Sequence, residues 1–369
     1  TLKLLRELSQ ASGVSGYENE AQEVARRALA PYADTLRTDA LGNLIALKRG
    51  TRPEGTPVRS ILLAAHCDEI GLMVTGFEQG FLRFTRVGGV DVRTILGQEV
   101  VVHGRRLLPG IVASRPPHVM TKEEMDKPVP LDKLFIDVGL PAERVQELVQ
   151  VGDVITLRRQ MVELAEGFVA GKALDDRAGV AALVFCLEAL STLRHTWDVY
   201  AIATTQEEVG LRGAMVSAYS VAPDLAIAVD VTFGKQQGVS ENESVELDAG
   251  PTIGQGPNFH PSLVERLLAT AGEHELPHQV EIIPGRSGTD AWAIQVAREG
   301  IPTALLGIPL RYMHTTVETV CLKDIERTGR LLALCIAGLN EDFAAQLGLQ
   351  EEGERVPART CGGPRCSRP

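Results

Sequence analysis

Five places in the chain gather histidine and carboxylate side chains where apolar runs end. The run Ile61-Leu62-Leu63-Ala64-Ala65 delivers His66-Cys67-Asp68-Glu69. A histidine there can ligate a metal through its neutral imidazole, and a carboxylate two residues on can hold the other ring nitrogen and fix the tautomer. An ordinary polar turn accounts for that motif equally well. Leu174-Asp175-Asp176-Arg177 leads into an apolar helix, and adjacent buried carboxylates need a nearby cation to stay ionised. Helix capping explains one aspartate, but not Lys172, two aspartates and Arg177 together. In Gln206-Glu207-Glu208-Val209-Gly210 one glutamate can bind a metal while its neighbour serves as general base toward a water. Acidic residues in the first turn of a helix are the plainer reading of that pair. Asp230 stands alone in Leu225-Ala226-Ile227-Ala228-Val229-Asp230-Val231. A buried charge needs a partner, so metal ligation or a salt bridge must hold it. His314, in Arg311-Tyr312-Met313-His314-Thr315-Thr316-Val317-Glu318, would complete the set.

Two histidines, several carboxylates and no cysteine ligand suit a hard or borderline divalent ion. The count fits two ions sharing one bridging carboxylate, roughly 3.5–4 Å apart in the usual arrangement.

The elements that must position these groups alternate between strand and helix. Apolar spacing predicts helices over Leu2–Ala11 and Asn19–Leu29, with Ser15 and Glu18 spaced for a capping box between them. Leu44–Leu47 and Ile61–Ala65 read as strands, the second buried on both faces. Between about Gly71 and Glu166 short β-like runs (Phe81–Arg86, Glu99–His103, Gly110–Ala113, Leu134–Val138, Asp153–Leu157) alternate with turns around one helix, Pro141–Val149. After Gly167 the alternation returns. Helices are expected at Ala178–Leu193, Glu208–Ala218, Pro261–Ala271, Ala291–Arg298 and Leu322–Phe343. Strands are expected at Val199–Thr204, Leu225–Val231, Val280–Ile283 and Thr303–Gly307. The pattern is an α/β domain carrying a β-rich insertion, and in such sheets ligands gather at strand carboxyl ends.

The chain has 369 residues, 44% hydrophobic and 23% charged, with a net charge of -11. No basic cluster is available to neutralise phosphates, which excludes a general nucleic-acid binder. No apolar stretch approaches the roughly 20 residues that cross a membrane, and the amphipathic start lacks a secretory signal, so a cytoplasmic address is expected. Six cysteines in so long a chain do not form a disulfide framework. Cys67, Cys186, Cys321 and Cys335 read as buried thiols, and Cys361 and Cys366 fall in a Gly/Pro/Arg-rich tail.

His66-Cys67-Asp68-Glu69-Ile70-Gly71, Lys172-Ala173-Leu174-Asp175-Asp176-Arg177 and Glu207-Glu208-Val209-Gly210-Leu211-Arg212-Gly213 resemble motifs of the tetrahedral (TET) aminopeptidase family. So do Val229-Asp230-Val231-Thr232, Gly288-Thr289-Asp290-Ala291-Trp292 and Arg311-Tyr312-Met313-His314. The family includes glutamyl, leucyl and deblocking aminopeptidases, and some members are labelled endoglucanase-like. The match runs in order from about residue 2 to residue 345. The resemblance implies a dimetal exopeptidase fold, a central mixed β-sheet flanked by helices, formed by 1–71 and 166–347. It implies a small inserted PDZ-like or β-barrel domain, 72–165, on which dimers assemble into a hollow dodecamer. The Gly/Pro/Arg-rich tail, 348–369, has no counterpart in the resemblance and is expected from its composition to be disordered. By the same resemblance Asp175 bridges two divalent ions, zinc, cobalt or manganese. His66 and Asp230 complete one site, Glu208 and His314 the other. Glu207 is the general base, Asp68 the partner of His66, and Asp290 and Arg286 help shape the peptide site. One departure is visible: Thr315-Thr316 stands where many relatives carry Ser-Pro after the histidine.

The expected reaction is therefore hydrolysis of peptide N-termini. Rivals are a dimetal carboxypeptidase or amide deacylase with similar ligands, a glycoside hydrolase working through paired carboxylates without metal, and a non-catalytic assembly protein. Retention of the whole ligand set together with Glu207 speaks against the last.

Overall fold

The computed structural model describes residues 1–349. Of the expected tail, only Gly348 and Leu349 are described, and Leu349 packs against the core. Cys361 and Cys366 lie outside the described residues.

The strands in chain order are β1 (Thr35–Thr38), β2 (Leu44–Lys48), β3 (Ser60–His66), β4 (Gly71–Glu78), β5 (Phe81–Val87), β6 (Glu99–His103), β7 (Leu107–Ala113), β8 (Phe135–Asp137) and β9 (Val154–Leu157). They continue with β10 (Val162–Glu163), β11 (Phe168–Gly171), β12 (Asp198–Thr204), β13 (Leu225–Phe233), β14 (Thr252–Gln255), β15 (Gln279–Ile282), β16 (Thr303–Arg311) and β17 (Glu318–Cys321). Among the described residues eleven of these form one mixed sheet in the order β1-β2-β12-β3-β13-β16-β17-β11-β10, with β14 on β16 and β15 on β14.

The four central strands β12, β3, β13 and β16 run parallel. Their carboxyl ends therefore share one edge, with His66 level with Thr204 and Asp230 level with Gly307. The chain leaves β3 to build β12 on one side and β13 on the other, so the topological switch lies at His66, where open α/β sheets bind ligands.

Burial on both faces holds this sheet in place. Successive residues of β3 point to opposite sides. Ile61, Leu63 and Ala65 join a core with the helices Leu2–Gln10, Asn19–Leu29, Leu174–Ala189, Pro261–Glu273 and Leu322–Ala337. Leu62 and Ala64 join a second core with Arg212–Val221 and Asp290–Ile294. The helix Leu174–Ala189 is apolar on nearly every side, as a helix enclosed by protein must be.

Strands β4-β5-β8-β7-β6-β9 close into a six-stranded barrel with its own core around Leu72, Phe84, Val102 and Ile136. Closure leaves no open sheet edge. None of the described helices is long and apolar enough to cross a membrane.

Four local expectations are corrected. Ser15 does not cap a helix: its hydroxyl donates to Asp68, and Glu18 accepts the amides of Gly16 and Gln206 instead. The helix expected from Glu208 begins at Arg212, so Glu207 and Glu208 sit in the preceding turn. The helix Ala291–Arg298 is shorter, Asp290–Ile294. Leu322–Phe343 is two helices, because Gly338 ends the first and Asn340 caps the second by accepting the amide of Phe343.

Candidate metal centre

Each chemistry-bearing motif emerges from the carboxyl edge of the sheet or from the entry to the central helix. Non-glycine residues in the left-handed region shape these turns: Ala173, Gln206, Tyr312 and His314 itself (φ 61°). Such conformations are costly and persist only where the surroundings over-determine them. For His314 the tether is its amide, which donates to Oε1 of Glu318 at 2.9 Å.

His66, Asp175, Glu207, Glu208, Asp230 and His314 line one cavity of about 420 Å3. Nε2 of His66 lies 3.0 Å from Oδ1 of Asp175, 3.9 Å from Oε2 of Glu207 and 4.0 Å from Oδ1 of Asp230. Nε2 of His314 lies 3.4 Å from Oδ2 of Asp175 and 3.5 Å from Oε2 of Glu208. Asp175 thus turns one oxygen to each histidine. Two groups result, His66-Asp175-Asp230 and Asp175-Glu208-His314, each with ligand atoms within 4.8 Å of one another. They share only Asp175.

Behind this layer Asp68 is fully buried. Its Oδ1 lies 3.5 Å from Nδ1 of His66 and accepts the amide of Glu207 at 3.0 Å, while Oδ2 accepts the amide of Glu208 and the hydroxyl of Ser15. One carboxylate thereby faces the ring of His66 and holds the turn that presents both glutamates. Glu318, which the sequence reading did not single out, organises the other side through backbone amides. Its Oε2 accepts the amides of Leu174 and Asp175, and its Oε1 that of His314. The barrel also reaches the site. A Cβ on Gly89 would fall 2.5 Å from Nδ1 of His314, so only glycine lets that loop lie against the ring.

Lys172 and Arg177 do not neutralise the aspartate pair. Both turn to Glu69, at 2.6 and 3.4 Å, and none of the three lines the cavity. Asp176 is the helix cap, accepting the amide of Gly179 at 3.0 Å. Asp230 has no lysine or arginine partner among the described residues. Arg286 is on the cavity wall with its guanidinium 5.2 Å from the centre of the Trp292 ring. Asp290 is not among the lining residues; it is buried behind them and accepts the Thr204 hydroxyl at 2.6 Å.

The electrostatics call for cations. Burial pushes Glu207 up to about 10 and Glu208 up to about 8, reinforced by neighbouring carboxylates. Burial also drives Asp176, Asp230 and Glu318 well above the carboxylate range. Burial works against charge on His66, yet its hydrogen bond to Asp175 and the nearby carboxylates of Asp68 and Glu207 hold it well above its ordinary value. The hydrogen bond to Asp175 takes His314 up to about 9. Asp175 resists its burial through the same two histidines and stays below the ordinary range. Acceptors so crowded fit divalent cations, which would favour ionised carboxylates and neutral imidazoles.

The family described as M42 glutamyl aminopeptidase matches residues 42–331. The chain belongs to the M42 aminopeptidase family. It is 36% identical to the lysyl aminopeptidase of Pyrococcus furiosus over 89% of this chain and 94% of that one. Among solved structures, the TET aminopeptidase of a marine sediment Thaumarchaeota archaeon superposes with a TM-score of 0.86 at 32% identity, covering 94% of this chain and 99% of the other. The TET1 peptidase of Pyrococcus horikoshii, which can assemble into a tetrahedron or a large octahedral shell, gives 0.79 at 32% identity, covering 92% and 99%. As an M42 member this chain is a metal-dependent aminopeptidase of a dimetal family, and its acidic and histidine clusters are of the kind that can bind metal.

Proposed function

We propose that this aminopeptidase holds one ion through His66, Asp175 and Asp230 and a second through Asp175, Glu208 and His314, with Glu207 as general base. The single observation that carries the reading is the division of Asp175, whose two oxygens face different histidines. When bound, the ions would supply Lewis acidity toward the scissile carbonyl and make a water easier to deprotonate.

The chain's own residues supply the rest. Glu207, beside His66 and free of any role in either ligand group, takes the proton of the attacking water and returns it to the leaving amine. Asp68 sets the tautomer of His66 and aims the Glu207–Glu208 turn. Glu318 fixes Asp175 and His314 relative to each other. The carboxylates of the two ligand groups and Glu207 attract the substrate's free α-ammonium, which explains selection of N-termini, and Arg286 faces the same cavity. Zinc is the favoured ion, with cobalt or manganese compatible with nitrogen and oxygen donors.

Residues 1–71 and 166–347 act in this reading as the catalytic unit, with 72–165 as an inserted dimerisation module. Peptides are the substrates and the active form is a homo-oligomer, dimers building a dodecamer, a proposal supported by the tetrahedral assembly of the Pyrococcus horikoshii relative. Four buried, unpaired cysteines suit a cytoplasmic address. The test is cleavage of matched peptides with free and acylated N-termini, before and after chelation and zinc return. Zinc-restored cleavage of the free peptide alone is expected. Preference for the acylated peptide would transfer the site to the deacylases.

A further inference from the structure

The family's name refers to a glutamyl substrate, yet the cavity wall carries a carboxylate that no part of the proposed mechanism uses. Glu281 on β15 lines the same cavity as the candidate metal residues. Its Oε1 accepts the hydroxyl of Thr232 at 2.7 Å and its Oε2 the hydroxyl of Thr252 at 2.8 Å. Donors on both oxygens hold the group in one orientation, facing the cavity, while each oxygen keeps a lone pair for a further donor.

Among the described residues no lysine or arginine pairs with Glu281. Arg286, the arginine on that wall, lies instead against Trp292. The charge is therefore left for a ligand to meet.

Its position suits the side chain of a substrate's first residue. Thr232 follows Asp230 by two places on β13, on the same face and about 7 Å along the strand. An extended lysine side chain spans that step from the hydrolytic centre to Glu281. Ile283 and Leu305 also line the cavity and offer apolar surface to an alkyl stem whose charged head stays with the carboxylate. Gly307 keeps the approach clear, since a Cβ there would fall 2.3 Å from the Thr252 hydroxyl and displace one of the two groups that hold Glu281.

We propose that Glu281 selects substrates whose N-terminal residue carries a cationic side chain, lysine or arginine. The assignment rests on the aminopeptidase reading above. A glutamyl N-terminus would place like charges together in the same recess, and a neutral one would leave the carboxylate without a partner.

The experiment compares lysyl, arginyl, leucyl and glutamyl chromogenic amides on the zinc-loaded full chain and on Glu281→Gln. The glutamine keeps the size of the side chain and one acceptor, and leucyl amide cleavage reports that the variant is folded. Loss of a charge-assisted contact predicts a fall in kcat/KM of about 10- to 100-fold for the lysyl and arginyl amides, with the leucyl amide changed by less than about threefold. An equal fall on all substrates would mean that Glu281 holds the α-amine and would overturn the assignment, as would an unchanged lysyl rate.

Binding separates this assignment from the peptidase reading. Calorimetry with free L-lysine and L-norleucine, which differ by the terminal amine, should favour lysine on the wild-type chain and lose that preference in Glu281→Gln. If discrimination persists while no amide is cleaved, Glu281 keeps its role and the peptidase reading falls. Equal affinities for the two amino acids remove the role.

Discussion

Oε2 of Glu318 accepts the backbone amide of Asp175 at 3.1 Å. Glu318 also holds Leu174 and His314 by their amides, so a single carboxylate spans the two segments that supply the proposed bridging ligand and one of its histidines. Removing it frees three amides, two of them buried, and releases His314 from the tether on its left-handed backbone. Residues that orient metal ligands typically contribute 10- to 100-fold to affinity. Glu318→Ala is therefore expected to weaken zinc binding by about that factor, read by competition with a chromophoric chelator. Wild-type zinc affinity in a folded Glu318→Ala chain would show that Asp175 and His314 need no such tether.

Glu207 belongs to neither ligand group, although its carboxylate lies 3.9 Å from Nε2 of His66. Glu207→Gln preserves shape and removes the proton acceptor. It should keep two zinc ions per chain by elemental analysis and lose about 10²- to 10⁴-fold in kcat. Near-wild-type turnover would remove Glu207 from the role of base.

The sequence exposed the parts of this site that obey local rules. β3 was legible because the interior of a strand buried on both faces must be apolar, as Ile61–Ala65 is. Its end, and those of β12 and β13, marked the site because parallel strands deliver their last residues to one edge. What escaped depends on tertiary partners. Glu318 sits in the four-residue strand β17, too short to stand out, though a lone acid among β-branched residues is the same signal that drew attention to Asp230. Ser15 and Glu18 have capping-box spacing, yet the buried oxygen of Asp68 takes the hydroxyl. The approach of Gly89 to His314 joins the barrel to the sheet, and no pattern within either segment encodes it.

Lys172 and Arg177 taught the same lesson about charge. Their count suggested partners for Asp175 and Asp176, but both converge on Glu69, which also accepts the amide of Gly13. All three side chains are almost wholly buried. Removing the one anion leaves two buried cations unpaired, a loss of about 3–5 kcal/mol for a pair of this kind. Glu69→Ala should therefore lower the urea midpoint sharply while a zinc-loaded sample retains both ions. An unchanged midpoint would mean that water reaches Lys172 and Arg177 and replaces the carboxylate.

Metal removal should make stability depend on pH in a definite direction. Without cations, burial raises Glu207 from 4.5 to about 10 and Glu208 from 4.5 to about 8, and the Asp175 hydrogen bond raises His314 from 6.5 to about 9. Each group holds its proton more tightly folded than unfolded, so the folded chain carries the extra protons between the two values. Stability then falls as pH rises through that window. Asp68 and Asp175 are shifted downward, and the stability they contribute is lost only as pH falls below the ordinary aspartate value of 3.8. Burial shifts His103 and His195 downward from 6.5, and their opposite contribution is complete by about pH 7. Between about pH 7 and pH 9 the upward-shifted groups therefore set the slope. A chelated chain should show a falling unfolding temperature across this range. Zinc should flatten the curve, because bound cations favour the deprotonated ligands the folded state otherwise resists. Calorimetric scans at four pH values with and without chelator decide the matter. A chelated chain whose unfolding temperature holds or rises over the interval would show that the acidic cluster carries its charge without help, and the case for cations at Asp175 would lose its electrostatic support.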